Sequence, residues 1–268
     1  MRTSPLRPIL ALTVVGAVAL APAAVNGAPA PERAAGGPGT TATLSHGVLT
    51  VQRPGATIRL SVPAGYHLPY VTVRGERGGI SFDGSTVVLV RQAEGGGRTR
   101  FLIADGRLLT PLAFRGRVAF DAIAPGGSAI YLTRRTSASD PTRYAVLQYA
   151  RGARTLNRIG VKSVFSARGA EEPDWKMQGL PVARTAAADG GWAYTLYTAR
   201  EYPFIHALPL GQGPWAVCIE LPESWRARVA TMSLRARPGT IVEVLDAAGA
   251  VVATADVLHA KLTLAART

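Results

Sequence analysis

One unit recurs along this chain and constrains it more than anything else: a short strand, a tight turn bearing glycine, and then a strongly apolar strand. The copies read Ile80-Ser-Phe-Asp-Gly-Ser-Thr-Val-Val-Leu, Ile123-Ala-Pro-Gly-Gly-Ser-Ala-Ile-Tyr-Leu and Thr185-Ala-Ala-Ala-Asp-Gly-Gly-Trp-Ala-Tyr-Thr-Leu. A fourth is Leu234-Arg-Ala-Arg-Pro-Gly-Thr-Ile-Val-Glu-Val-Leu. A tight hairpin turn needs positive φ, which glycine adopts without steric cost, and a neighbouring Asp or second Gly completes it. The turn glycines Gly84, Gly127, Gly190 and Gly239 lie 43, 63 and 49 residues apart. Two of these spacings fit a repeating four-stranded sheet of roughly 40–50 residues, and the long one leaves room for an insertion at about 167–178.

Apolar residues at helical spacing are absent over any long stretch. Short β-rich runs between Gly, Pro, Asp and Ser clusters take their place: Thr86 to Val90, Ala129 to Thr133, Tyr144 to Tyr149, Ala193 to Tyr197, Phe204 to Leu208, Val217 to Leu221 and Ile241 to Leu245. The expectation is an all-β fold, a β-propeller-like array of four-stranded blades with fewer clean copies than a full ring requires. A pair of β-sandwiches is the alternative. Between Thr40 and Val73 only Pro54 to Leu60 matches the unit.

The turns Phe82-Asp83-Gly84, Pro125-Gly126-Gly127 and Ala188-Asp189-Gly190 resemble those that open the second strand of each blade in secreted YncE-like or WD40-like β-propellers. Trp192 to Tyr197, Phe204 to Leu208 and Ala216 to Pro222 also resemble segments of exported actinobacterial proteins. The likeness runs from about Ile80 to Asp256 and implies a rigid extracellular scaffold.

The N-terminus agrees with export. Arg2 and Arg7 precede an apolar run from Ile9 to Ala21 and a small-residue stretch ending at Ala28, the order of a signal peptide. That run is shorter than the roughly 20 residues a membrane-spanning helix needs. Residues 1–28 are therefore read as a signal, with an uncleaved anchor as the alternative. Residues 29–39, rich in Ala, Pro and Gly, are read as a flexible linker, and 40–268 as the propeller-like domain. A single cysteine, Cys218, lies in an apolar run and cannot form an intrachain disulfide, so stability must come from the core.

The net charge is +13, carried by 27 arginines against 3 lysines. Such a surface favours anionic lipids, wall polymers or nucleic acid. The arginines are scattered along the sequence, however, and a GC-rich genome gives the same bias.

Motifs for catalysis are missing: there is no Gly-x-Ser-x-Gly, His-Glu-x-x-His, phosphate loop or Cys-x-x-Cys. His46, His67, His206 and His259 are far apart, and no cofactor, metal ligand or catalytic residue is assigned. Asp83, Asp121, Asp140 and Asp189 suggest a carboxylate ring, but Asp83 and Asp189 are better explained as turn formers. His206, inside Phe204-Ile-His-Ala-Leu208, is either a histidine hydrogen-bonded within the sheet or a ligand contact. The cluster Glu171-Glu-Pro-Asp-Trp-Lys176 is a charged inserted loop.

Asp174, Trp175, Arg184 and His206 form the tentative contact surface. The expected function is an exported, non-catalytic binding module for a protein, a glycan or an anionic envelope component, with peripheral membrane contact and no nucleic-acid role. The alternative is a secreted lactonase-like or other hydrolase using a central pocket.

Overall fold

The computed structural model describes residues 30–92, 97–140, 142–166, 177–200, 202–211 and 215–265, with backbone only for 161–166. The described residues form five sheets. Sheet I holds β1 (Glu32–Ala35), β2 (Thr41–Ser45), β3 (Val48–Arg53) and β4 (Ala56–Ser61). Sheet II holds β5 (Thr86–Gln92), β6 (Arg98–Asp105) and β7 (Leu108–Arg115). Sheet III holds β8 (Val118–Ile123), β9 (Ala129–Arg135), β10 (Tyr144–Ala150) and β11 (Thr155–Arg158). Sheet IV holds β13 (Leu180–Ala186), β14 (Trp192–Thr198), β15 (Phe204–Pro209) and β16 (Trp215–Glu220), with β12 (Gly160–Ser166) added outside β16. Sheet V holds β17 (Ser233–Ala236), β18 (Ile241–Leu245), β19 (Val251–Asp256) and β20 (Lys261–Leu264).

Within each sheet successive strands pair antiparallel, and only β12 runs parallel to its neighbour. All seven apolar runs marked in the sequence are strands. The turn glycines Gly84, Gly127, Gly190 and Gly239 all have φ between 68° and 77°. Each lies between the innermost strand segment of its sheet and the strand that follows. Gly39, with φ of 69°, holds the same place in sheet I, so the unit has a fifth copy.

Successive sheets pack face to face through four apolar clusters. Leu49, Val51, Leu89 and Leu102 join I to II, and Val88, Phe101, Phe120 and Leu132 join II to III. Tyr131, Val146, Tyr197 and Phe204 join III to IV, and Leu196, Ile205, Val242 and Val244 join IV to V. A middle sheet buried on both faces is the mark of a propeller-like stack, because a sheet in a β-sandwich packs on one face only. Among the described residues no such cluster joins V back to I, which leaves the array incomplete, as the sequence suggested.

Sheet II lacks a regular innermost strand. Residues near Ile80 bond to the start of β5, with Ser81 N donating to Thr86 O (2.9 Å), and His67 bonds to its end, with the His67 N to Val90 O distance at 3.0 Å. Between them the chain leaves the sheet and crosses the central space. Val73 N donates to Pro181 O of β13 (2.8 Å), and the Arg74 guanidinium reaches the Ala230 carbonyl, just before sheet V.

One sequence expectation needs correction. The stretch read as a flexible linker supplies β1 and its turn. Its residues are small, but Ala34 is buried, and Glu32 is held by the Leu68 N–H (2.6 Å) and by Arg77 (3.0 Å). Most of the insertion expected at about 167–178 lies outside the described residues; ahead of it, β12 carries the chain from the outer edge of sheet III to the outer edge of sheet IV. The signal region lies outside the described residues.

Candidate functional site

The inner edges of the sheets enclose a cavity of about 300 Å³, bounded by the end of β1, residues 76–82, β8 and β13. Its polar walls are Glu76, Arg77, Asp121 and Arg184, and Phe82 and Phe120 supply apolar surface. Asp121 and Arg184 are 63 residues apart in sequence yet make a buried ion pair at 2.9 Å, joining sheets III and IV at this cavity. Arg77 is held by Glu32, by the Leu68 carbonyl and by Tyr70 Oη (2.8 Å), and it stacks on the Tyr70 ring at 4.0 Å. Glu76 is exposed along part of its length, but burial of its carboxyl raises its pKa from the ordinary value against the pull of Arg184 and Arg74. Phe82 packs beneath the Gly190 turn so closely that a Cβ there would stand 2.4 Å from its ring. A second cavity of about 260 Å³ lies on the other side of Phe120 and Asp121, with Gln92, Thr99, Arg117 and Arg135 on its walls.

A polar row leads outward from Arg184. Strand register sets Arg184 opposite Thr195, Thr195 opposite His206, and His206 opposite Cys218. Cross-strand partners share a face, so all four point toward sheet III. His206 is 2% exposed, and burial depresses its pKa to about 4, opposed by Asp121 and reinforced by Arg184. Its Nδ1 lies 3.6 Å from Cys218 Sγ. Burial pushes the Cys218 thiol well above its usual value, so it is protonated at neutral pH.

The structure also changes the reading of the arginines. Strand pairing sets Arg91 directly opposite Arg100, and Arg98 directly opposite Arg115. All four are exposed, and by strand alternation they project from one face of sheet II. Arg117 follows in the connection to β8. None of the five makes an ion pair with a described residue. Residues scattered in sequence are thus a cluster in space.

Of the four residues marked as a contact surface, Arg184 and His206 are brought onto one face of sheet IV but neither is freely exposed. Arg184 reaches the cavity, whereas His206 is enclosed between sheets and is not among the cavity walls. The reading of His206 as an open surface contact is corrected by its burial. Asp174 and Trp175 lie outside the described residues. Asp83 and Asp189 are turn formers, Asp83 Oδ1 accepting from Ser81, Ser85 and Gly126, and Asp189 Oδ1 from Gly191 N at 2.8 Å. Asp121 does not sit at a turn; it is an inner-strand residue whose partner no local pattern announces.

No protein-family model matches the chain, and no curated protein matches it in sequence. Among solved structures it is similar to TolB from Acinetobacter baumannii, at 12% identity and a TM-score of 0.42 over 80% of this chain and 50% of that one. It is also similar to a putative TolB from Agrobacterium tumefaciens, at 12% identity and a TM-score of 0.48 over 87% and 80% of the two chains. The WD40 domain of SCAP from fission yeast is similar at 9% identity and a TM-score of 0.41, covering 83% and 54%. The chain spans half the length of the first of these. These neighbours are β-propellers, and the fold assignment itself rests on the sheet order and the four inter-sheet cores.

Proposed function

We propose that this chain is an exported, non-catalytic binding module of the YncE-like kind, which attaches to an anionic component of the cell envelope through the arginines of sheet II. The observation that carries this reading is the pairing of Arg91 with Arg100 and of Arg98 with Arg115. Like charges directly opposite on a sheet cost stability, and here no acid among the described residues offsets that cost. A polyanion would offset it by filling the gap between the guanidinium groups, each of which offers a rigid fork of donors. The signal-like N-terminus supports an extracytoplasmic setting.

The test is co-sedimentation of the chain from Pro29 onward with isolated bacterial envelopes across a salt series. Binding should be strong at low salt and fade as the Debye length shrinks to a few ångströms near 1 M. Arg98→Ser combined with Arg115→Ser should remove most of it. Failure to sediment at any salt would defeat the proposal.

A second reading, a hydrolase of the lactonase kind, draws on Glu76 and Asp121 in the central cavity. It requires turnover of a lactone or ester panel that Glu76→Gln abolishes.

A further inference from the structure

Sheets III and IV enclose a group of soft donors that the binding reading does not use. His206 on β15 and Cys218 on β16 face one another, with 3.6 Å between Nδ1 and Sγ. Met177, 41 residues before Cys218, brings its Sδ to 4.0 Å from the same Sγ. All three are buried, at 2%, 0% and 7% exposure. Tyr197 lies edge-on to the imidazole at 6.4 Å, and Phe204 stacks on Tyr197.

We propose that Met177, His206 and Cys218 form a binding site for a soft monovalent metal ion, copper(I).

The spacing is that of ligands sharing one ion. Metal–sulfur bonds of about 2.3 Å and metal–nitrogen bonds of about 2.0 Å, opened to trigonal or tetrahedral angles, set sulfur and nitrogen roughly 3.5–3.7 Å apart and two sulfurs roughly 3.8–4.0 Å apart. Both observed separations meet those values. Thiolate and thioether ligands select copper(I) over harder ions. A copper(I) ion bound to one thiolate adds no net charge to the interior, whereas a divalent ion adds a positive charge for the buried carboxylates Glu220 and Asp121 to offset. Binding replaces the thiol proton, which passes to solvent, and no electron is transferred. Coordination through Nδ1 leaves the proton on Nε2. That buried nitrogen has no hydrogen-bond partner among the described residues.

Competing roles for Cys218 fail on the same geometry. The thiol is fully buried, out of reach of a substrate, and the chain has no second cysteine with which to form a disulfide.

The experiment is an anaerobic titration of the reduced, full-length chain with copper(I) held by bicinchoninate. The expected result is withdrawal of one copper per chain, growth of thiolate-to-copper absorption in the ultraviolet, and a rise in the melting temperature. Zinc(II) at the same concentration should produce none of these. Cys218→Ser should lose the absorption and the withdrawal together. Met177→Leu conserves volume and should stay folded by circular dichroism while holding copper more weakly. The proposal is overturned if the folded chain, its thiol confirmed reduced, leaves all copper with the chelator. It is equally overturned if Cys218→Ser or folded Met177→Leu binds as well as the natural chain.

Discussion

Sheet IV presents two unlike faces from the same strands. Toward sheet V it offers Tyr194, Leu196, Ile205, Ala207, Val217 and Ile219, which meet Val242, Val244 and Ala255 in an apolar core. Toward sheet III the alternate residues include Arg184, Thr195, His206 and Cys218, interleaved with Tyr197 and Phe204. The first face needs only shape and area, so many aliphatic sets would serve it. The second contains polar groups whose burial is favourable only when each is matched, and Asp121 Oδ2 and His206 Nε2 have no hydrogen-bond partner among the described residues. The apolar face has one such atom, Tyr194 Oη, whereas on the other the unpartnered groups are a carboxylate and an imidazole, which gives a ligand, an ion or a trapped water at the III–IV interface more to satisfy.

The largest test of this contrast is Arg184→Met. It leaves the Asp121 carboxylate buried without its cation and should destabilise the fold by about 3–5 kcal/mol, read from urea unfolding. Arg184→Met with Asp121→Asn should recover part of that loss; if the double variant is no better than the single one, the charge is not what matters there.

On the apolar face, Leu196→Ala should cost about 2–5 kcal/mol through lost burial and the cavity left behind. Copper(I) withdrawal should survive in that variant, since Leu196 points away from the proposed site.

The polar face should also respond to acid. His206 has its pKa lowered from 6.5 to about 4, so the unfolded chain binds the proton more readily than the folded one. Its contribution is fully present above about pH 6.5 and declines as pH falls toward 4, by roughly 3 kcal/mol in total. His206→Gln should flatten unfolding free energy against pH across that window, and an unchanged slope would contradict the assignment.

The smallest effect is expected outside both faces. Arg100→Glu turns a like-charge pair with Arg91 into an attractive one and should stabilise by about 0.2–1 kcal/mol while weakening envelope binding. A gain in both would separate the arginine cluster from attachment.

Legibility from sequence followed the distribution of apolar residues. Strands such as β14 and β15, buried along nearly their whole length, read as continuous apolar runs and were found. By contrast β6 begins Arg98-Thr-Arg, and β7 carries Pro111 and is largely exposed, so neither stood out. β1 was hidden more deeply, because its stability comes from backbone pairing and the Glu32 contacts and not from its own side-chain bulk. The site was less legible still. His206 and Cys218 are 12 residues apart, which suggests no contact, but a hairpin in register makes them direct neighbours.

The sequence by itself determined the class of this protein, the recurring turn and the demand for glycine in it, because local backbone geometry and alternation are set by neighbouring residues. Only the tertiary structure decided which charges meet. Asp121 finds Arg184, Arg98 finds Arg115, and Met177 finds Cys218 through strand register and sheet stacking, which bring together residues with no local relation. A side chain's neighbours across a sheet depend on the whole path of the chain, whereas its preference for a strand or a turn depends on a few residues around it.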